Sequence, residues 1–203
     1  MSFRYEYKYL VNPNRNLEFY NWLNKNDFKK IYPNRIINSI YFDNNNLSMY
    51  LDSEEGLVPR KKIRIRWYGK LNNLILSNSN FEEKTSSVEG RFKVSNKINK
   101  EIFLKKIKKG ILDKNYGLCK IKSLVTYSRE YYLKKNIRIT FDKNISFVKI
   151  INGKLSFRKK IEDNVCEFKY PFTKIGHEHI DNFPFDMKRF SKYCASIKEL
   201  YNK

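Results

Sequence analysis

The segment KKIRIRWY, from Lys61 to Tyr68, alternates cationic and apolar side chains with a period of two residues. Lysine or arginine stands at 62, 64 and 66, whereas isoleucine or tryptophan stands at 63, 65 and 67. This period is typical of a β-strand, in which successive side chains point to opposite faces of the sheet. A row of adjacent cations repels itself, so this face must meet either water or an anion.

Several other segments repeat the alternation of charged and bulky residues. The pattern predicts strands over 4–11, 35–42, 80–84, 90–94, 124–133, 137–142 and 165–170, and a hairpin over 145–157 with its turn at Asn152-Gly153. Helices are predicted after Asn12-Pro13 with a stripe of Leu17, Tyr20 and Leu23, through 98–107, and over the tail Ser191–Tyr201. Pro33 is expected to end the first helical unit. The residues 43–46 are expected to form a turn or to cap a short helix.

The charged faces of these strands carry mostly lysine and arginine, with few glutamates. For 62–66 alone, a solvated strand face is the stronger interpretation, but the repetition on several strands favours an enclosed site. A sheet of about eight strands that closes into a barrel would turn its cations inward and leave its apolar faces for helices to cover. Because buried unpaired charge is costly, such an interior holds water or an anion. We therefore predict an α+β fold, a closed antiparallel β-barrel tunnel with helices outside, as a single domain over 1–203.

The composition points to a polyanionic partner. The chain has 203 residues with 42 basic and 21 acidic side chains, a formal net charge of +21. Nucleic acid, polyphosphate, nucleotides and an anionic membrane surface all suit that charge. A specific nucleic-acid role is disfavoured because no helix-turn-helix, zinc or RNA-sheet motif is recognisable.

The cysteines and the apolar runs bear on the compartment. Cys119, Cys166 and Cys194 are far apart and form no CxxC pair, which argues against a disulfide framework or a zinc site. No signal peptide is visible at the N-terminus, and no run approaches the roughly 18 apolar residues of a membrane span. We expect a cytoplasmic protein without a transmembrane segment, and any membrane association to come through an anchored partner. The sequence does not give the oligomeric state.

Eight short segments, in the same order along the chain, resemble the VTC domain, the polyphosphate polymerase member of the triphosphate tunnel metalloenzymes. They are RYEYKY (4–9), SIYFD (39–43), RKKIRIR (60–66), EEK (82–84), REYY (129–132), IRITFD (137–142), EFK (167–169) and FSKY (190–193). None of the segments is specific alone, whereas the ordered set is. The resemblance runs from Arg4 to about Tyr201, and it is to a stand-alone, bacterial-type member.

The resemblance implies two groups of residues that bind phosphate. The main group is Lys8, Arg64, Arg66, Lys84, Arg129 and Arg138, and the further group is Lys62, Arg91, Lys93, Lys169, Ser191 and Lys192. Arginine suits this role because its fork meets two phosphate oxygens at once. The register of 91–93 is left open, with Lys93 favoured as the inward side chain and Arg91 as its neighbour.

The resemblance also implies a divalent metal ion, Mg²⁺ or Mn²⁺. Glu167 is the main candidate ligand, and Glu6 and Glu82 are weaker candidates. These ions prefer carboxylate and phosphate oxygens, and they need few protein ligands when the substrate supplies the rest. Glu6 has an alternative role in an ion pair with Arg4 or Lys8. The two histidines, His177 and His179, are expected to be structural or surface residues.

The implied reaction is transfer of the γ-phosphate of ATP to the end of a growing polyphosphate chain. Charge neutralisation, in-line positioning and a metal ion do most of this chemistry, so no protein nucleophile is needed. Two alternatives stay open: a tunnel-type triphosphatase that acts on triphosphate or nucleotides, and a non-catalytic module that binds polyphosphate.

Overall fold

The computed structural model describes residues 4–71, 79–151, 154–171 and 182–202. The described strands are β1 (Arg4–Val11), β2 (Lys29–Asp43), β3 (Arg60–Tyr68), β4 (Ser79–Ser87), β5 (Gly90–Ile98), β6 (Ile111–Asp113), β7 (Gly117–Lys134), β8 (Ile137–Ile151), β9 (Lys154–Lys160) and β10 (Asn164–Pro171). The described helices are α1 (Asn16–Lys25), α2 (Ser48–Glu55), α3 (Lys100–Lys109) and α4 (Lys192–Tyr201). The expectations for Asn152-Gly153, His177 and His179 lie outside the described residues.

Most of the strands form one antiparallel sheet. The path of paired strands is β1-β10-β8-β7-β2-β3-β4-β5, with β6 paired to β7 and β9 paired to β8. Every ladder whose register is described is antiparallel. The predicted α+β class with a mostly antiparallel sheet is therefore confirmed. Within the described residues the path ends at β1 and β5 without a pairing between them, so closure into a barrel stays a prediction.

Two local predictions are wrong at element boundaries, and one short strand was not predicted. Pro33 lies inside β2 and does not end the preceding unit. It is tolerated there because the described ladder to β3 starts only at Ile37, which leaves residues 29–36 without that neighbour. The segments 137–142 and 145–151 form one strand, β8. The strand continues through Asn144 although this residue has a left-handed φ of 55°. The three-residue β6 was not predicted, because it is too short to show a period.

The helix α1 is turned relative to its predicted apolar stripe. Its buried residues are Phe19, Trp22 and Leu23, whereas Leu17 is 70% exposed. The two aromatic side chains bury more apolar area than Leu17 and Tyr20 would, and they set the rotation of the helix. Among the described helices, none is long and apolar enough to cross a membrane.

The chain divides into two compact units. Unit 1 comprises Met1–Arg35, Tyr127–Ile145 and Lys160–Phe190. Unit 2 comprises Ile36–Thr126, Ser146–Lys159 and Ser191–Lys203.

In unit 1, α1 covers one face of the sheet. The ring of Phe19 stacks on Phe141 of β8 with centroids 4.1 Å apart, and Trp22 meets Phe168 of β10 at 5.7 Å. Since neighbouring side chains of a strand alternate between faces, Asp142 and Glu167 lie on the face opposite to α1.

In unit 2, the apolar face of β3 is buried. Ile63 and Ile65 are fully buried, and Trp67 is 3% exposed and packs edge-on against Phe103 of α3 at 6.3 Å. The alternation predicted for this strand is confirmed, because Arg64 and Arg66 lie on the other face with side chains that are 15% and 11% exposed. Two arginine side chains are thus held largely out of water by the fold.

Candidate functional site

The strands β3, β4 and β5 of unit 2 carry their cations on one face. Lys62 lies opposite Lys84, and Lys84 lies opposite Lys93 on the next strand. Residues directly opposite in an antiparallel ladder point to the same face. Arg66 is paired with Asn80, and Arg91 is paired with Ser86, so both arginines point to this same face. This cationic face therefore consists of Lys62, Arg64, Arg66, Lys84, Arg91 and Lys93, and both residues of the open 91–93 register belong to it.

Glu82 is a carboxylate set among these cations. The Nε of Arg64 donates to Glu82 Oε2 at 2.6 Å, and the Nζ of Lys93 donates to Oε1 at 2.6 Å. The Nη1 of Arg66 lies 3.9 Å from Oε2. Burial raises the pKa of Glu82, but Arg64, Arg66 and Lys93 outweigh it and lower the pKa to about 2. Glu82 therefore stays ionised at neutral pH and offsets one of the six positive charges.

Two side chains of β2 orient the arginines. The Nη1 of Arg64 donates to the hydroxyl of Tyr41 at 3.1 Å, and the Nε of Arg66 donates to Ser39 Oγ at 3.4 Å. Burial raises the pKa of Tyr41, but the positive charges of Arg64, Arg66 and Lys192 lower it by a larger amount. The pKa of Tyr41 therefore lies below its ordinary value. These roles were not predicted, although both residues stand in the SIYFD segment and alternate in the right register.

The N-terminus of α4 lies at the same cationic face. Ser191 caps this helix by accepting from the N–H of Cys194 at 3.4 Å, and the Nζ of Lys62 donates to the same Oγ at 3.0 Å. Tyr193 stacks on Tyr41 with centroids 5.1 Å apart. A helix N-terminus presents N–H groups and a positive dipole to an anion. The structure thus places the predicted Ser191 beside the predicted Lys62, with Lys192 in the next position.

The second set of predicted residues lies on β1, β10 and β8 of unit 1. Lys8 is opposite Glu167, and Glu6 is opposite Lys169, which is in turn opposite Arg138. These five side chains share one face. The Nζ of Lys169 is 2.7 Å from Glu167 Oε1, and that of Lys8 is 3.7 Å from Glu6 Oε1. The Nζ of Lys8 also donates to the carbonyl of Phe190 at 2.9 Å.

Arg129 on β7 is held by a carboxylate that the sequence analysis did not single out. Its Nε and Nη2 donate to the two oxygens of Asp142 at 2.5 and 2.7 Å. Asp142 is fully buried. Burial lowers the pKa of Arg129, but the charge of Asp142 raises it well above its ordinary value. This bidentate pair fixes the plane of the guanidinium of Arg129.

The candidate metal ligands differ in how well their surroundings suit a divalent ion. Glu167 is 7% exposed, and although burial raises its pKa, Lys169, Lys8 and Arg129 hold that pKa well below its usual range. Opposite Glu167, the buried Oγ1 of Thr140 has no hydrogen-bond partner among the described residues. Within the described part of the chain, no group of three histidine, cysteine or acidic side chains could hold a metal ion. Glu167 with Thr140 and Glu6 therefore fits an ion that takes most of its ligands from substrate, whereas both oxygens of Glu82 are bound to cations.

Comparison with solved structures places the chain among proteins of one fold. A putative adenylate cyclase from Bacillus halodurans matches with a TM-score of 0.62 and 14% identity over 94% of each chain. A putative adenylyl cyclase from Hippeastrum, described as having a dominant triphosphatase activity, matches with a TM-score of 0.61 and 12% identity over 98% of this chain and 96% of that one. A conserved hypothetical protein from Pyrococcus furiosus matches with a TM-score of 0.56 and 14% identity over 95% and 99%. At such identities these likenesses show the fold alone.

Comparison with curated proteins finds no match. The model of one protein family, described as the VTC domain, matches residues 3–201. This span contains the cationic face of unit 2 and the predicted residues of unit 1, and it agrees with the resemblance carried by the eight ordered segments. The chain therefore belongs to the VTC domain family.

Proposed function

We propose that the protein is an ATP-dependent polyphosphate polymerase, which transfers the γ-phosphate of ATP to the end of an inorganic polyphosphate chain. The observation that carries this proposal is the cationic face of unit 2, where six lysine and arginine residues stand against one carboxylate, Glu82. Three of these cations, Lys62, Arg64 and Arg66, are only partly exposed. A folded protein keeps such like charges side by side when an anion of high charge density offsets them. Membership of the VTC domain family supports a phosphate chain as that anion.

The proposed chemistry uses preorganised cations. In unit 2 Tyr41 orients the guanidinium of Arg64, and in unit 1 Asp142 orients that of Arg129, so each group needs little reorganisation to stabilise charge on a phosphate. Glu167, with Glu6 and Thr140 near it in the ladders, would hold a Mg²⁺ or Mn²⁺ ion. When bound, such an ion neutralises phosphate oxygens.

The closed tunnel predicted from the sequence is part of this proposal, as is the action of residues 1–203 as one domain. A tunnel suits a polymeric product, because nucleotide can enter at one end while the chain leaves at the other. Lys8, Lys84, Arg138, Lys169 and Lys192 are proposed as its further phosphate contacts.

The deciding experiment is a product gel. The wild-type protein incubated with ATP and Mn²⁺ is expected to form long polyphosphate, and Arg64→Ala is expected to abolish it. Arg158→Ala is the matched control, since Arg158 lies on β9 and donates to Ser146 outside the cationic face. Release of ADP without polymer would contradict the proposal.

A second candidate function is a triphosphatase. It is favoured by the fold shared with the Hippeastrum protein, for which a dominant triphosphatase activity is described. In the same assay, this function would give free phosphate from ATP or inorganic triphosphate in place of polymer. Tight binding of polyphosphate without any turnover would instead indicate a non-catalytic module. Filter binding of RNA and polyphosphate at matched salt separates that module from a nucleic-acid-binding protein.

A further inference from the structure

A cluster of two tyrosines and an arginine lies in unit 1 outside the set of predicted site residues. The rings of Tyr32 on β2 and Tyr131 on β7 meet edge-on with centroids 5.6 Å apart. The guanidinium carbon of Arg35 lies 4.9 Å from the ring centroid of Tyr32 and 5.5 Å from that of Tyr131. We call Tyr32, Arg35 and Tyr131 the aromatic cluster.

The exposure of the cluster argues against a purely structural role. Tyr32 is 48% exposed and Arg35 is exposed, so neither side chain contributes much to a buried core. At exposed sites, a cation–π contact is worth only about 0.5–1 kcal/mol, which is small against the entropy of ordering these side chains. A partly exposed ring and a guanidinium plane that lie next to each other form a surface on which a flat ligand can stack.

The position of the cluster connects it to a predicted phosphate ligand. Tyr131 follows Arg129 by two residues on the same face of β7, a separation of about 7 Å along the strand. Arg129 is the guanidinium that Asp142 holds in place. A nucleotide whose phosphates contact Arg129 can therefore extend its base along the strand to Tyr131 and the neighbouring Tyr32.

The chemistry of the cluster suits a nucleobase. Tyrosine rings and the planar guanidinium of arginine stack on the faces of bases, and the stacking does not depend on a phosphate. We infer that the aromatic cluster binds the base of the donor nucleotide, with Tyr32 as the main stacking residue, and so lets the protein select nucleoside triphosphate over inorganic triphosphate. This inference rests on the proposed function, in which the phosphates of a nucleotide are bound by Arg129.

The test compares two ligands that differ by the nucleoside. Binding of ATP and of inorganic triphosphate is measured by titration calorimetry in metal-free buffer, so that turnover does not interfere. Tyr32→Ala is expected to weaken the binding of ATP by about fivefold or more and to change the affinity for inorganic triphosphate by less than about twofold. Tyr32→Trp, which keeps a stacking ring, is expected to retain the affinity for ATP. Phe157→Ala is the matched control, because Phe157 is a strand aromatic that is 49% exposed and lies in unit 2.

The outcomes separate this inference from the proposed function. Equal weakening of the binding of both ligands would overturn the inference, because a purely structural role of Tyr32 affects both ligands alike. No change in the affinity for either ligand would overturn it as well. Arg129→Ala is expected to weaken both ligands and thereby checks that their phosphates share a site. A selective loss of ATP binding with no polymer on the product gel would sink the polymerase proposal and leave the base site standing.

Discussion

Glu82 is the residue on which the electrostatics of the cationic face depend. Its pKa is lowered to about 2 in the folded protein, against 4.5 ordinarily. A group with a depressed pKa stabilises the fold above its unfolded pKa and loses that effect as the pH falls through its folded pKa. The shift corresponds to at most about 3 kcal/mol at neutral pH.

The variant Glu82→Gln tests this account. Its free energy of unfolding at pH 7 is expected to be lower than that of the wild type by up to about 3 kcal/mol, and the difference is expected to fall to about half or less by pH 3. Urea denaturation at a series of pH values measures both quantities. A difference that stays constant between pH 7 and pH 3 would show that the charge of Glu82 is not responsible.

Arg64 makes contacts that a lysine cannot reproduce. Its Nε donates to Glu82 while its Nη1 donates to Tyr41, so two edges of one planar group are in use. A lysine ammonium is a point charge without this fork. We expect Arg64→Lys to lower kcat/KM for ATP by about tenfold or more, or about 1.4 kcal/mol of transition-state stabilisation. Arg158→Lys serves as control, and equal kinetics of the two variants would refute a geometric role of Arg64.

At the residue scale, periodicity predicts a face but not its partners. The alternation of 62–66 was enough to predict that Arg64 and Arg66 share one side of a strand. It could not identify Tyr41 or Asp142 as the groups that orient the arginines. Those contacts depend on which strand is the neighbour and on its register, and neither is encoded in a local pattern.

At the scale of elements, the N-terminus of α4 contributes both to the stability of the fold and to the cationic face. Ser191 satisfies a backbone N–H of the helix and also accepts from Lys62. Removing an N-cap hydroxyl typically costs about 0.5–2 kcal/mol. Ser191→Ala is therefore expected to lower the free energy of unfolding by about 1 kcal/mol, as measured by denaturant titration. Ser191→Asn should recover most of it, and equal losses in both variants would argue against capping.

The elements that the sequence analysis placed wrongly share a physical cause. Pro33 stops a regular strand only where its missing N–H is needed, and the neighbouring β3 does not extend that far. The rotation of α1 follows the large rings of Phe19 and Trp22, whose partners Phe141 and Phe168 come from distant strands. In both cases tertiary neighbours, which one segment cannot reveal, overrode the local signal.

At the scale of the whole molecule, the order of motifs was more informative than any composition. A net charge of +21 is compatible with several polyanions, whereas eight ordered segments predicted the family that the 3–201 match confirms. The order of the segments does not predict whether the sheet closes, because closure depends on a pairing between the strands at the two ends of the path.

The same net charge raises the question of whether polyphosphate binds to a built site or to a basic surface. Half-buried charges are screened by salt much less than exposed ones. Arg64 is 15% exposed in its side chain, whereas Lys108 and Lys109 on α3 are exposed. We therefore expect Lys108→Gln/Lys109→Gln to weaken polyphosphate binding at low salt and to match the wild type at about 0.5 M salt. Arg64→Ala should remain weaker than the wild type at both salt concentrations. Titration calorimetry with polyphosphate of defined length gives both comparisons, and convergence of all three proteins at high salt would mean that surface charge alone accounts for binding.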